Sequence, residues 1–266
     1  MNTRRTPRRC CSRTIVAGAC AILVALPAAS AYAEPTEITV RVLSRGAKFV
    51  GSSMGGASVT LTDVTSGALL ASGVTRGSTG DTRRMMHRDG GRDAVLASEG
   101  AAGWTTTLDL ERPTLVEVAA SGPLAQMQAA MRVTARQWVV PGKHLNGGNG
   151  WLLELPGFAV DVLAPPAHVK LEGAVTEVEL RANVTLMCGC PVEPDGLWNA
   201  DGYEVAALVS HEGEPRGRYP LTYAGSTSQF SASIPTPEPG LYVVTVYAYD
   251  PANGNTGVDH TTFFVP

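Results

Sequence analysis

Cysteine is scarce in this chain. There are five in 266 residues, and three of them (Cys10, Cys11 and Cys20) lie within the first 20. That excludes a small scaffold held by disulfides, which needs several bridges to replace a core. Charge is also sparse, at 17% of residues with a formal net of −3. A chain so balanced has no basic patch to draw in a polyanion, so nucleic acid is excluded as a partner. The longest apolar run, 15–26, falls short of the ~18–20 residues that cross a bilayer, so no transmembrane segment is expected. Phosphate loops, dinucleotide fingerprints, HExxH and heptads are absent as well. What remains is an apolar fraction of 44% with 29 Gly and 18 Pro, enough to build one or two ordinary cores with many turns.

The first 33 residues read as an export signal. Arg4, Arg5, Arg8, Arg9 and Arg13 precede the apolar run, and Ala31-Tyr32-Ala33 puts small residues at −3 and −1 of a cut before Glu34. The expected location is therefore periplasmic or extracellular. Cleavage leaves 16 basic and 24 acidic residues, a net of −8, and only Cys188 and Cys190 among the cysteines.

Strand-like alternation runs through the rest. Ile38, Val40 and Val42 alternate with Thr39 and Arg41, and Val116, Val118 and Ala120 alternate with Glu117 and Ala119. The segment 125–136 keeps a period of two from Ala125 to Ala135 and is expected to be a strand. Further strands are expected at 178–186, 203–209, 230–234, 241–249 and 258–265, each bounded by Gly, Pro, Asn or Asp. With no ten-residue helical pattern, the fold class is all-β: two tandem β-sandwich domains. The expected organisation is 34–140 with a polar insertion at 76–103, a Gly/Pro-rich linker at 141–166 with a strand near 158–163, and 167–266. Residues 34–166 hold 12 acids and 12 bases, whereas 167–266 hold 12 acids and 4 bases, so the excess negative charge sits on the second domain.

Two stretches carry a resemblance. Gly56-Ala57-Ser58-Val59-Thr60-Leu61-Thr62-Asp63, then Thr65-Ser66-Gly67 and Gly77-Ser78-Thr79-Gly80, resembles the opening of carboxypeptidase-regulatory-like (transthyretin-like) sandwiches. Gly240-Leu241-Tyr242-Val243-Val244-Thr245-Val246-Tyr247-Ala248-Tyr249-Asp250, followed by Asn253-Gly254-Asn255-Thr256-Gly257, is similar to the last hairpin of bacterial immunoglobulin-like domains. The resemblance implies spacer, adhesion or accessory modules without catalysis.

One motif has the composition for chemistry: Met187-Cys188-Gly189-Cys190-Pro191. On a continued strand, Cys188 and Cys190 face the core and Met187 the other side. An extended Cys-Gly-Cys cannot close on itself, because i and i+2 stand ~6.5–7 Å apart while disulfide Cβ atoms need ~3.5–4.5 Å. A turn at Gly189 permits closure. The pair is then a buried end to a core strand, a disulfide, a bond to another molecule, or a soft-metal site in which the two thiolates and Met187 hold Cu(I).

Other signals have simpler explanations. Met85-Met86-His87 has soft ligands but sits between Arg83, Arg84 and Arg88, within an insertion whose arginines suit an anionic partner. Gly51-Ser52-Ser53-Met54-Gly55 fits G-x-S-x-G without the strand–helix context of a hydrolase elbow. Asp250, Asn253, Asn255 and Asp259 crowd oxygens at one turn, a calcium composition without EF-hand spacing. The four tryptophans with Tyr242, Tyr247 and Tyr249 supply a carbohydrate-stacking set or core anchors. The expected protein is thus a non-catalytic, exported binding or accessory protein. Its partner would be a protein or surface polymer; a copper or thiol-redox protein is the alternative and a serine hydrolase a distant third.

Overall fold

Alternation became pairing. A computed structural model describes residues 1–2, 33–87, 91–173 and 175–266, so the expected leader lies almost wholly outside the described residues. Among those residues no helix is long and apolar enough to cross a membrane.

The first half contains β1 (Glu34–Ser44), β2 (Ser58–Asp63), β3 (Leu69–Val74), α1 (Thr82–His87), β4 (Trp104–Leu110), β5 (Thr114–Gly122), β6 (Met131–Val139) and β7 (Trp151–Leu155). They form a three-stranded sheet, β4-β1-β7, and a four-stranded sheet, β3-β2-β5-β6. Ile38, Val40, Val42, Val59, Leu61, Val116 and Val118 share the core between them. The second half contains β8 (Phe158–Ala164), β9 (Val169–Lys170), β10 (Glu177–Leu186), β11 (Glu204–His211), β12 (Glu214–Pro220), β13 (Thr222–Tyr223), β14 (Gln229–Pro235), β15 (Gly240–Tyr249) and β16 (Thr256–Val265). Their sheets are β13-β14-β10-β8 and β12-β11-β15-β16-β9. The even-numbered residues of β10, from Val178 to Leu186, all enter the core, where they meet Val205, Ala207, Val244, Val246 and Phe263. Each fully buried Val, Leu or Phe contributes ~1.5–3 kcal/mol, and these two apolar layers hold the fold. The chain is all-β, built as stacked sandwiches.

Three expectations need correction. The segment 125–136 is not one strand: Met127–Ala129 forms a 3-10 turn, and pairing with β5 begins only at Met131. The chain there is diverted because Leu124 and Ala125 donate to the carbonyls of Gly56 and Met54. The stretch 141–166 holds the expected strand, β8, paired with β10, but also β7, paired in parallel with β1, so it is more strand than linker. Glycine and proline there mark tight exits from strands rather than slack chain. The insertion 76–103 is no bare polar loop either. Met85, Leu96, Ala101 and Ala102 build a small third core on Leu43 and Phe49. Arg41 reaches across to donate to the carbonyls of Ala101 and Ala102 at 2.8 and 3.0 Å, and burial pulls its guanidinium below its ordinary value.

Residues Tyr32–Pro266 form one compact unit, and its two halves are stitched by side chains as well as by chain. Asn255, fully buried, accepts from Gly157 N–H and donates to the Arg45 carbonyl, both at 3.0 Å. Trp198 donates its indole N–H to the Gly46 carbonyl at 3.1 Å. Gln128 donates to the Val160 carbonyl and Asp259 accepts from Val162 N–H, so the open edge of β8 is covered by side chains and blunted against strand addition.

The Asp259 carboxylate has a second effect. Burial, then the negative charge of Asp259, raises the Asp161 carboxyl above its ordinary value. A carboxyl raised by folding binds its proton more tightly in the native state, so stability falls as pH climbs from the unfolded pKa through the folded one. Asp161→Asn should therefore raise the melting temperature at pH 7 and give no gain near pH 3, as read by thermal denaturation at both values.

Candidate functional site

Cys188 and Cys190 are bonded to each other in the structure, with their Cα atoms 5.3 Å apart. Closure follows from Gly189, which adopts φ +72° and donates its N–H to the Leu186 carbonyl, so β10 ends in a tight turn instead of running on. A Cβ at Gly189 would also stand 2.8 Å from Met54 Sδ, a flexible side chain that would have to give, so the positive φ is the stronger demand for glycine. Both cysteines are buried in the second core, beside Val192 and Trp198. Met187 is buried too, but in the first core. The face opposite the second core is thus the first core rather than solvent. With the sulfurs spent on each other and Met187 in another cluster, the three residues are not a donor set in this disulfide form. A three-residue ring removes little chain entropy, roughly 1.6 kcal/mol on the loop-closure estimate. The Cys188→Ala/Cys190→Ala double variant should lose about that much stability by urea titration, and the mature protein should resist alkylation, even when unfolded, until it is reduced.

The other motifs are accounted for by structure. Ser52–Met54 is a single 3-10 turn with Met54 in the core, and Ser52 Oγ accepts from Gly77 N–H, so G-x-S-x-G marks a loop and no hydrolase elbow. Met85 is buried in the third core. Asp250 Oδ1 caps Ala252 N–H, Asn253 Oδ1 caps Asn255 N–H, and Asn255 and Asp259 are engaged as described above, so those oxygens order the β15–β16 hairpin and the junction. Among the described residues no group of three or more His, Cys, Asp or Glu is placed to hold a metal ion. The tryptophans do not gather: Trp151 and Trp198 are buried, while Trp138 stands exposed on β6.

The feature that the sequence reading did not single out is the contrast between the two outer faces of the second sandwich. On the β10 side the outward residues are Glu177, Glu179, Arg181 and Asn183, opposite Ser231, Ser233 and Gln229. That face is polar along β10 and β14, as a solvated sheet face should be, with Leu163 exposed at its β8 edge. On the other side, the outward positions of β11, β15 and β16 carry Leu208, Leu241, Val243, Tyr247, Tyr249, Val258 and Phe264, interspersed with Ser210, Thr245, His260 and Thr262. Leu208 is 48% exposed and Phe264 41%. Two hollows indent this face. One, of about 370 Å³, is lined by Leu208, Ser210, Pro215, Gly217, Val243 and Thr245. The other, of about 240 Å³, lies against Val169, Lys170, Leu241, Thr262 and Phe264.

The few charges there are already engaged. Arg218 donates to Glu204 at 2.6 Å and to the Tyr247 hydroxyl at 2.7 Å, and Tyr247 donates to the same carboxylate. The hydrogen bonds from Tyr247 and Arg218 hold the Glu204 carboxyl below its ordinary value. Lys170 lies over the Phe264 ring, 5.9 Å from its centroid. One end of the face is anchored by His211, whose ring lies 4.6 Å from that of Tyr242 and tilted 34° to it. Arg216 can only donate, so His211 Nδ1 accepts its hydrogen bond and Nε2 carries the proton toward the Pro239 carbonyl, both at 2.9 Å.

No protein-family model matches the chain, and no curated protein does. Solved structures show similarity at low identity. The fibronectin(III)-like modules of Clostridium thermocellum CbhA match at 14% identity and TM-score 0.28, covering 79% of this chain and 78% of theirs. A chimeric titin Z1Z2 matches at 12% and 0.24, covering 88% and 98%. The ICAM-5 D1–D4 ectodomain fragment matches at 12% and 0.24, covering 88% of this chain and 50% of that one. An engineered protein matches at 16% and 0.31 over 48% of this chain, which spans 24% of its length. Similarity of this strength carries no functional argument, and the fold stands on its own strand pairing.

Proposed function

We propose that this is an exported, non-catalytic binding or accessory protein of the periplasm or cell surface, and that it associates through the outer face of the five-stranded sheet. One observation carries the reading: two outer faces of the same sandwich differ, one mainly polar with Leu163 at its edge and the other carrying exposed Leu208, Leu241, Tyr249, Val258 and Phe264. Single apolar residues need no explanation, but several exposed on one sheet support an association surface. The Arg218–Glu204–Tyr247 network supports it, because its charges are compensated before a partner arrives and cost less to desolvate. Export is supported by the basic, apolar and Ala31-Tyr32-Ala33 order of the first 33 residues, and a secreted form beginning at Glu34 would be its signature.

Site-specific photo-cross-linking tests the face. A cross-linking residue at Leu208 or Phe264 should form adducts with a protein or surface polymer in the native compartment, and one at Glu179 or Ser233 should not. Equal labelling of both faces overturns the reading. The soft-metal alternative belongs to the reduced pair and is tested by adding Cu(I) to reduced protein. Two freely alkylated thiols with no bound copper remove it.

A further inference from the structure

We infer that the first sandwich carries a binding site for one unit of a neutral sugar, in a hollow on the flank where β6 and β7 lie. The inference is independent of the association face proposed above, which belongs to the other sandwich. It rests on the shape of the hollow, the polar groups left over around it, and its lack of charge.

β6 and β7 are edge strands of the two sheets that make the first sandwich. Gln137 on β6, Trp151 and Leu152 on β7, and His144, Leu145 and Gly147 in the connection line a hollow of about 300 Å³. That is the lower end of the ~300–1,000 Å³ that small-molecule sites occupy, room for one small ring. The connection is held by backbone bonds. Leu145 donates to the Glu37 carbonyl at 2.8 Å and accepts from Thr39 N–H at 3.1 Å, so it lies beside β1 like a further rung of the sheet. The walls are therefore set before any ligand arrives.

The polar groups on those walls are unspent. Alternate residues of β6 face the first core, where Val133 and Ala135 pack and Val139 is buried. Gln137 breaks that apolar row at the hollow, and among the described residues nothing bonds to its carboxamide. Trp151 is only 7% exposed, yet among the described residues its indole N–H neither finds an acceptor nor is sealed from outside. The hollow that it lines is where this N–H opens. His144 Nδ1 accepts from Glu37 N–H at 3.0 Å, which leaves the proton on Nε2 as a further donor. A half-buried amide and a buried indole without partners are costly in a fold that gains nothing else from them.

No Asp, Glu, Lys or Arg lines the hollow, and the nearby Glu37 carboxylate accepts from Asn146. An anion or cation would find no counter-charge there, and a purely apolar ligand would bury the N–H groups unpaired. A neutral sugar answers both conditions. Its hydroxyls accept from the indole, imidazole and amide and donate to Gln137 Oε1, while its C–H face meets Leu145 and Leu152. Two sources carry this chemistry, a free monosaccharide and a unit of a surface polymer.

NMR titration of the mature protein tests the inference and separates the sources. The probes are glucose, galactose, mannose and N-acetylglucosamine at up to about 100 mM, with cellotriose and chitotriose beside them. The Trp151 indole N–H signal, assigned by its loss in Trp151→Phe, should move with at least one probe. The Trp198 indole N–H, already bonded to the Gly46 carbonyl, should stay in place. Gln137→Leu should weaken the binding by about fivefold or more, the worth of a hydrogen bond, and should not lower the melting temperature, because leucine suits the apolar row. A trisaccharide that binds tighter than its monomer assigns the site to a polymer, and one that does not assigns it to the free sugar. A Trp151 signal unmoved by every probe overturns the inference, and so does undiminished binding in Gln137→Leu.

Discussion

Asn255→Leu should lower the melting temperature by roughly 5–15 °C, an effect out of proportion to a single side chain at a hairpin end. The reason lies in what the amide touches. Its Oδ1 accepts from Gly157 N–H and its Nδ2 donates to the Arg45 carbonyl, two backbone groups that belong to different sandwiches. Leucine matches the volume but offers neither partner. Each orphaned backbone group costs ~1–3 kcal/mol, so the loss of both comes to roughly 2–6 kcal/mol. The neighbouring Asn253→Ala removes only a local bond to Asn255 N–H and should cost far less. A melting temperature within a degree or two of wild type for Asn255→Leu would show that the halves are held by their apolar contacts alone.

Gly257→Val is expected to be more damaging still, to the point of insoluble or protease-sensitive protein. Gly257 lies in β16 where that strand crosses β8, and a Cβ there would stand 2.3 Å from the Phe158 carbonyl oxygen and 2.8 Å from Phe158 Cβ. The obstacle is backbone, so no rotamer relieves it, and β16 would have to leave β8. Phe158 would be drawn from the core and from its edge contact with Tyr203, whose hydroxyl is pushed up to about 12 by burial, then by the nearby Asp250 charge. Gly202→Ala is the matched control, because nothing lies within 4 Å of its added carbon. That control should stay within ~0.5 kcal/mol of wild type by urea denaturation. Comparable losses in both variants would refute the close-approach argument.

The strands that alternate cleanly were legible because burial on one face writes a period of two into the sequence. β10 and β15 show it from end to end, and the structure extends the expected ranges by no more than a residue or two. β12 was missed for the converse reason. Glu214–Pro220 is an exposed edge strand with two prolines and a glycine, so no face is buried to leave a pattern. The 3-10 turn at Met127–Ala129 was missed because it keeps in step with the strand that follows it. At Cys188-Gly189-Cys190 the geometry of an extended chain excluded a ring and a turn at Gly189 allowed one. Which of these obtains depends on how β10 ends.

Residue order alone settled the all-β class, the concentration of acid in the last hundred residues and the scarcity of thiols. These depend on composition and on local periodicity, which the chain carries unfolded. Tertiary structure decided the rest. It placed Met187 and the cysteines in different cores, turned the glycine-rich middle into one strand for each half, and gathered Leu208, Leu241, Val258 and Phe264 on one surface. Those residues stand as much as 56 positions apart, on strands whose neighbours are chosen by pairing across the sheet, so no window along the chain contains the face they make.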